Sequence, residues 1–97
     1  MDVQQKHAIA LKHITQLYAA GWMPTQPHNS ETPPTFCCVV DPERVVLATL
    51  YLNDEGQWLF KFTLGIDTHE FTNGAIPTVK QVRYTYQHYQ QLLLKLN

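Results

Sequence analysis

The sequence predicts a single α+β domain, residues 1–97, in which a three-stranded antiparallel meander carries N- and C-terminal helices on one face (αβββα). Three observations predict this class. Apolar residues recur at spacings of three and four near both ends of the chain. A nearly regular alternation of apolar and polar residues runs from Trp58 to Ile66. Short turn sequences containing Pro42 and Gly56 separate the middle segments, which favours antiparallel hairpins.

The first helix is predicted over residues 2–20. Asp2 can cap it, and Gln5 stands three residues on, as in a capping box. Gly21 occupies the position of a left-handed C-terminal cap, and Trp22 can fold back on Leu17. The apolar stripe of this helix, which Leu11 and Tyr18 widen, consists of Val3, His7, Ala10, Ile14 and Leu17.

Residues 23–35 contain four of the six prolines, and they predict a long irregular connection. Three strands follow, at residues 35–40, 45–52 and 57–66, joined by turns at 41–44 and 53–56. The second strand is apolar on both of its faces. We therefore expect its outer face to be covered, either by the proline-rich connection or by a second subunit.

The last helix is predicted to begin after a turn-rich passage at residues 67–77. Thr78 can cap it, with Gln81 at the third position. Its apolar positions are spaced by three and four: Val79, Val82, Tyr86, Tyr89, Leu93 and Leu96. This seam is too short to predict a coiled coil, and it favours a helix packed on the sheet.

Composition and motifs argue against several classes of function. No apolar run reaches the ~20 residues of a membrane span, and the N-terminus lacks the apolar core of a secretory signal. The vicinal Cys37 and Cys38 point to opposite faces of a strand, which fits a reducing compartment. The five histidines form no zinc-site spacing, and there is no glycine-rich phosphate loop. We expect a cytoplasmic protein that is not an enzyme and binds neither a metal nor a cofactor.

Charge is distributed unevenly along a chain whose net charge is −1. Residues 31–79 contain seven acidic and two basic residues, a net −5, whereas the flanking segments contain one acidic and five basic residues, a net +4. Such asymmetry bears on binding partners rather than on fold.

The order of elements is also that of double-stranded RNA-binding domains. That family presents a lysine cluster at the start of its last helix, where this chain offers Lys80 and Arg83. The strand turns, which would meet a minor groove, are acidic instead. Direct binding of nucleic acid is therefore not favoured, and RNA binding through the basic helices stays a minor alternative.

In an antiparallel meander, the first turn and the exit from the third strand lie at the same end of the sheet. Asp41 and Glu43 are thus expected beside Asp67 and Glu70, while Asp54 and Glu55 lie at the opposite end, roughly 20–25 Å away. Solvated polar turns would explain these charges, but carboxylates can also occupy phosphate-binding sites on a basic protein groove. The predicted partner-binding residues are Asp41, Glu43, Asp54, Glu55, Asp67 and Glu70.

A small domain with carboxylates on its turns and no catalytic motif resembles the type I-F anti-CRISPR proteins. The resemblance covers size, architecture and the acidic turns. It implies a phage or mobile-element inhibitor that binds the CRISPR surveillance complex, some members by mimicking duplex DNA. Typical DNA mimics are strongly acidic, so mimicry by this chain would be confined to one surface. The alternative from another class is a structural or regulatory homodimer, formed through the outer sheet face or the seam of the last helix.

Overall fold

The computed structural model describes residues 1–25, 31–64, 67–72 and 74–96, with side chains described within 1–25, 31–63 and 74–91. The helices are α1 (Val3–Lys12), α2 (Ile14–Ala19) and α3 (Val79–Leu96). The strands are β1 (Met23–Pro24), β2 (Thr35–Asp41), β3 (Val46–Leu52), β4 (Trp58–Leu64) and β5 (Asp67–Thr72). The α+β class predicted from the sequence is confirmed.

The sheet has four antiparallel strands, β2 to β5, arranged in sequence order, and the two-residue β1 pairs with the free edge of β2. The prediction of three strands is wrong, because β5 occupies part of the passage that was expected to consist of turns. Its sequence, Asp-Thr-His-Glu-Phe-Thr, is mainly polar. Hydrophobic alternation reports a half-buried strand, so a polar strand beside β4 does not produce that signal.

The N-terminal helix departs from the predicted single helix, because His13 (φ −106°, ψ 14°) separates α1 from α2. Its two ends are as predicted. Asp2 and Gln5 form a reciprocal capping box, with distances of 2.8 and 3.0 Å. At the other end Gly21 has a φ of 100°, and the Trp22 N–H donates to the Leu17 carbonyl at 3.1 Å. These bonds form the glycine-capped helix ending that the sequence indicated.

One core lies between the helices and the inward face of the sheet. It contains Phe36 of β2 and the inward residues of β3 and β4, with Leu50 and Phe62 fully buried. The helices contribute Ala10, Leu17, Val79, Val82 and Tyr86. The predicted seam of α3 therefore packs on the sheet over its first half. The side chains of Leu93 and Leu96 lie outside the described residues, as do residues 26–30 of the proline-rich connection and residues 65–66 of the predicted third strand.

The C-terminal end of α2 and the start of α3 are joined directly. The Val79 N–H donates to the Ala20 carbonyl at 2.8 Å, and the Trp22 indole N–H donates to the Pro77 carbonyl at 2.7 Å. Thr78 and Gln81 form the capping box predicted for α3. These bonds fix the end of α2 against the start of α3.

The outer face of the sheet includes exposed apolar side chains on its β1–β3 side. Val39 and Leu47 are directly opposed, with exposures of 41% and 37%, and Met23 is 67% exposed. The described part of the proline-rich connection therefore leaves these three residues exposed, and cover by a second subunit stays a prediction. Toward β4 the face is more polar: Lys61 lies over the ring of Tyr51, 5.3 Å from its centroid.

Candidate functional site

The turn between β2 and β3 is organised around the carboxylate of Asp41. Its Oδ1 atom accepts hydrogen bonds from the backbone N–H groups of Glu43 (3.1 Å) and Arg44 (3.2 Å). Its Oδ2 atom accepts from the Tyr86 hydroxyl at 3.0 Å. The side chain is only 18% exposed. The prediction that Asp41 is a solvated partner-binding residue is therefore not supported, because its carboxylate already holds the turn and α3.

A β-bulge explains why Asp41 faces the helices. Val39 pairs with Leu47, and Asp41 pairs with Val46, which leaves Val40 as an extra residue in β2. Regular alternation from Val39 would direct Asp41 to the outer face. The extra residue reverses this, so that Asp41 shares the inward face with the buried Val46. Burial, and then the hydrogen bond to the Asp41 carboxylate, raise the pKa of Tyr86.

At this end of the sheet Glu43 remains exposed, and two arginines lie nearby. Arg44 Nε is 4.0 Å from the Asp41 carboxylate, and Arg83 Nε donates to the Val39 carbonyl at 3.0 Å. Asp67 begins β5 opposite Leu64, which places its backbone at the same end, as predicted. The charge at this end is therefore mixed rather than uniformly acidic.

Glu70 lies elsewhere, and its predicted position beside Asp41 is wrong. It is opposite Lys61 in the pairing of β4 with β5, and Lys61 is in turn opposite Thr49. This register puts Glu70 in the middle of the sheet. Both errors arise because residues 67–77 were predicted to form turns. A turn would have kept Glu70 at the end of the sheet, whereas β5 runs back along β4 and carries Glu70 with it.

The opposite end of the sheet carries the second acidic turn. The Asn53 side-chain oxygen accepts from the backbone N–H groups of Glu55 and Gln57, both at 2.9 Å, which fixes the turn. Asp54 and Glu55 are exposed, as predicted. Lys6 of α1 reaches the Asp54 carboxylate at 3.1 Å, and the hydrogen bond and charge of Lys6 hold the pKa of Asp54 below its ordinary value.

The start of α1 lies beside this turn, which the sequence alone did not indicate. A Cβ atom added to Gly56 would be 3.0 Å from Cε of Met1, and the N-terminal amine contributes to lowering the pKa of Asp54. The basic flanks and the acidic middle of the sequence are thus neighbours in space. At this turn a basic residue of the N-terminal flank pairs with an acidic residue of the middle segment.

No family model, curated protein or solved structure matches this chain. The functional assignment therefore rests on the geometry of the described residues.

A groove of about 450 Å³ lies between the α1–α2 side and the proline-rich segment. His7 spans it, with Nε2 2.7 Å from the Thr32 carbonyl oxygen. Leu11 and Tyr18, predicted to widen the apolar stripe, line the groove but are 73% and 55% exposed. The sequence indicated these two groove residues as part of a broad apolar stripe. Periodicity alone, however, does not say which apolar positions of a helix are buried.

Features of catalytic or metal sites are sparse in the part of the chain that the structure describes. Within it, no three histidine, cysteine, aspartate or glutamate side chains are grouped so that they could hold a metal ion. Cys38 is buried, and burial raises the pKa of its thiol to about 11, so that at neutral pH it is protonated and a poor nucleophile. None of the described helices has the length and hydropathy that crossing a membrane requires.

Proposed function

We propose that this domain is a non-enzymatic inhibitor that binds a nucleic-acid-handling protein complex through its acidic turns. The supporting observation is that Glu43 on one turn and Asp54 and Glu55 on the other are exposed. The seven residues of β3 separate the two turns, a distance of roughly 20–25 Å. The carboxylates would contact lysine and arginine side chains that otherwise bind phosphates.

The hydrogen bonds within both turns support this proposal. Asp41 holds one turn and Asn53 the other through side-chain hydrogen bonds to backbone N–H groups. A preformed turn loses little conformational entropy on binding, so more of the contact energy contributes to affinity. The binding set proposed here is Glu43, Asp54 and Glu55, with Asp67 beside the first turn.

The resemblance to type I-F anti-CRISPR proteins makes their surveillance complex the first partner to test. The measurement is capture of a labelled target duplex by that complex, with increasing amounts of this protein. We expect the protein to bind the complex and to reduce duplex capture. The specific proposal is wrong if the protein does not bind, or if it binds and duplex capture is unchanged.

Charge reversal identifies the contact surface. Glu43→Lys and Glu55→Lys should each weaken binding severalfold. Loss of one exposed charged contact accounts for up to about fivefold, about 1 kcal/mol, and the new lysine also repels the basic side chains of the partner. Glu31→Lys is the matched control, because it makes the same charge change on an exposed residue that belongs to neither turn. Equal weakening by all three variants would point to net charge rather than to a defined surface.

A second candidate function is a homodimer formed through the outer sheet face, and the exposed apolar residues Met23, Val39 and Leu47 favour it. Four strands of about seven residues present a face of roughly 20 by 23 Å. The flat area of this face, about 460 Å², is a little over half of the ~800 Å² per partner that a standard interface buries, so the contact would be a small one. Val39 and Leu47 are uncharged, so the β1–β3 sides of two copies can pack against each other without charge repulsion.

Sedimentation equilibrium at micromolar concentration tests this candidate. We expect a dimer that Leu47→Lys dissociates, because a charge would be buried between the sheets. Tyr84→Lys, at a 72% exposed position on α3, is the control and should leave the dimer intact. A wild-type protein that is monomeric throughout this range would exclude the candidate.

A further inference from the structure

Val45, the last residue of the β2–β3 turn, has a backbone conformation that valine rarely adopts. Its φ is 55°, and among the described residues it alone combines a positive φ with a side chain. The left-handed region disfavours β-branched residues most, because their Cβ substituents crowd the backbone. Glycine or asparagine would adopt this backbone conformation with less strain.

The other hairpin of the same chain follows this rule. Gly56, with a φ of 79°, immediately precedes Gln57, whose carbonyl accepts from the Asn53 N–H where pairing resumes. Val45 immediately precedes Val46, which pairs with Asp41. The two turns thus place a left-handed residue at equivalent points, and only one of them uses glycine.

Packing within the domain does not account for the valine. Its side chain is 76% exposed, so the contacts that would offset the strained backbone are largely missing. The turn around it is nonetheless well fixed, through the bonds from Glu43, Arg44 and Tyr86 to the Asp41 carboxylate. A strained residue held by its surroundings and presented to solvent is typical of a functional position.

We propose that Val45 is the apolar anchor of the partner-binding surface, inserted into a small apolar depression on the partner protein. This inference rests on the proposed function and deepens it. The exposed Glu43 and Arg44 directly precede Val45, so the depression is flanked by a basic side chain that faces Glu43 and an acidic one that faces Arg44. Valine has a single stiff side-chain torsion, and the turn is preformed, so little entropy is lost when the partner buries it.

Two substitutions separate this role from a structural one. Val45→Gly removes the strain and the side chain, so we expect the melting temperature to rise by a few degrees while the Kd for the type I-F surveillance complex increases about tenfold. Val45→Thr keeps the branched shape and replaces a methyl group by a hydroxyl. It should leave the melting temperature nearly unchanged and still weaken binding severalfold.

Leu11→Thr is the control, since it likewise replaces an apolar side chain by threonine at a strongly exposed position, on α1. It should bind as the wild type does. If the wild type binds and both Val45 variants bind equally well, the anchor role is wrong and the proposed function stands. If the wild type does not bind the complex, both the proposed function and the anchor role of Val45 are wrong.

Discussion

At the scale of single residues, neighbours in sequence have unrelated surroundings. Cys38 is buried in the core, and Cys37 lies on the outer face between Met23 and Thr49 in the sheet register. Strand geometry directs adjacent side chains to opposite faces. The two thiols therefore differ in chemistry although nothing separates them along the chain.

The raised pKa of Cys38 predicts a pH dependence of stability. The pKa of this thiol is 9.0 in the unfolded chain and about 11 in the folded protein. The contribution of this thiol is thus constant below pH 9, and the free energy of unfolding falls as pH rises from about 9 to about 11. Urea unfolding across this range should show a steeper loss for the wild type than for Cys38→Ala. Parallel curves would contradict the prediction.

Asp41 gives the sharpest contrast between expectation and structure at this scale. Asp41→Ala should destabilise the domain by about 2–3 kcal/mol, because the buried Tyr86 hydroxyl and two backbone N–H groups lose a charged acceptor. Asp41→Asn should cost less, since the amide oxygen can still accept from the turn. Glu43→Gln, an exposed neighbour, should stay within about 0.5 kcal/mol in the same urea titrations.

At the scale of elements, the ends of the helices are specified locally. Gly21 illustrates this, and it also shows a constraint that only the tertiary structure imposes. Its φ of 100° is what a helix-ending glycine provides. A Cβ atom there would lie 2.9 Å from Cγ2 of Val79, so the end of α2 is in close contact with the start of α3.

Gly21→Ala should therefore cost more than backbone strain alone, about 2–4 kcal/mol. Gly74→Ala is the matched comparison, because Gly74 has a φ of 75° and an added Cβ atom would meet nothing within 4 Å. We expect Gly74→Ala to cost about 1–2 kcal/mol in thermal unfolding. In a Val79→Ala background the cost of Gly21→Ala should fall by at least ~0.5 kcal/mol. Equal costs at the two glycines would show that the crowding is unimportant.

At the scale of the whole molecule, a few long-range contacts decide how the charges combine. Lys6 reaches Asp54, and Arg83 reaches the end of β2, so the basic ends of the chain are adjacent to its acidic middle. Among the described side chains, the carboxylates of the two turns therefore lie beside basic groups. A partner would thus recognise individual, well-placed groups.

The hydrogen bond from the Trp22 indole to the Pro77 carbonyl joins parts of the chain 55 residues apart. Trp22→Phe should destabilise the domain by about 2–3 kcal/mol, because it removes this buried bond and leaves a cavity. Chemical denaturation followed by the fluorescence of Trp58 would measure this loss. A change under about 0.5 kcal/mol would mean that the indole nitrogen contributes little to joining α2 to α3.

The sequence by itself determined the α+β class, three of the strands, both capping boxes and the glycine-capped end at Gly21, because each depends on residues within a few positions of one another. The tertiary structure decided the rest. Whether Asp41 faces solvent or Tyr86 depends on the bulge at Val40, and the placement of Glu70 depends on the pairing of β5 with β4. The pairing of Lys6 with Asp54 depends on where α1 packs. Contacts between residues far apart in the sequence produce no local periodicity, so the sequence alone does not predict them. They determine which carboxylates remain exposed to a partner.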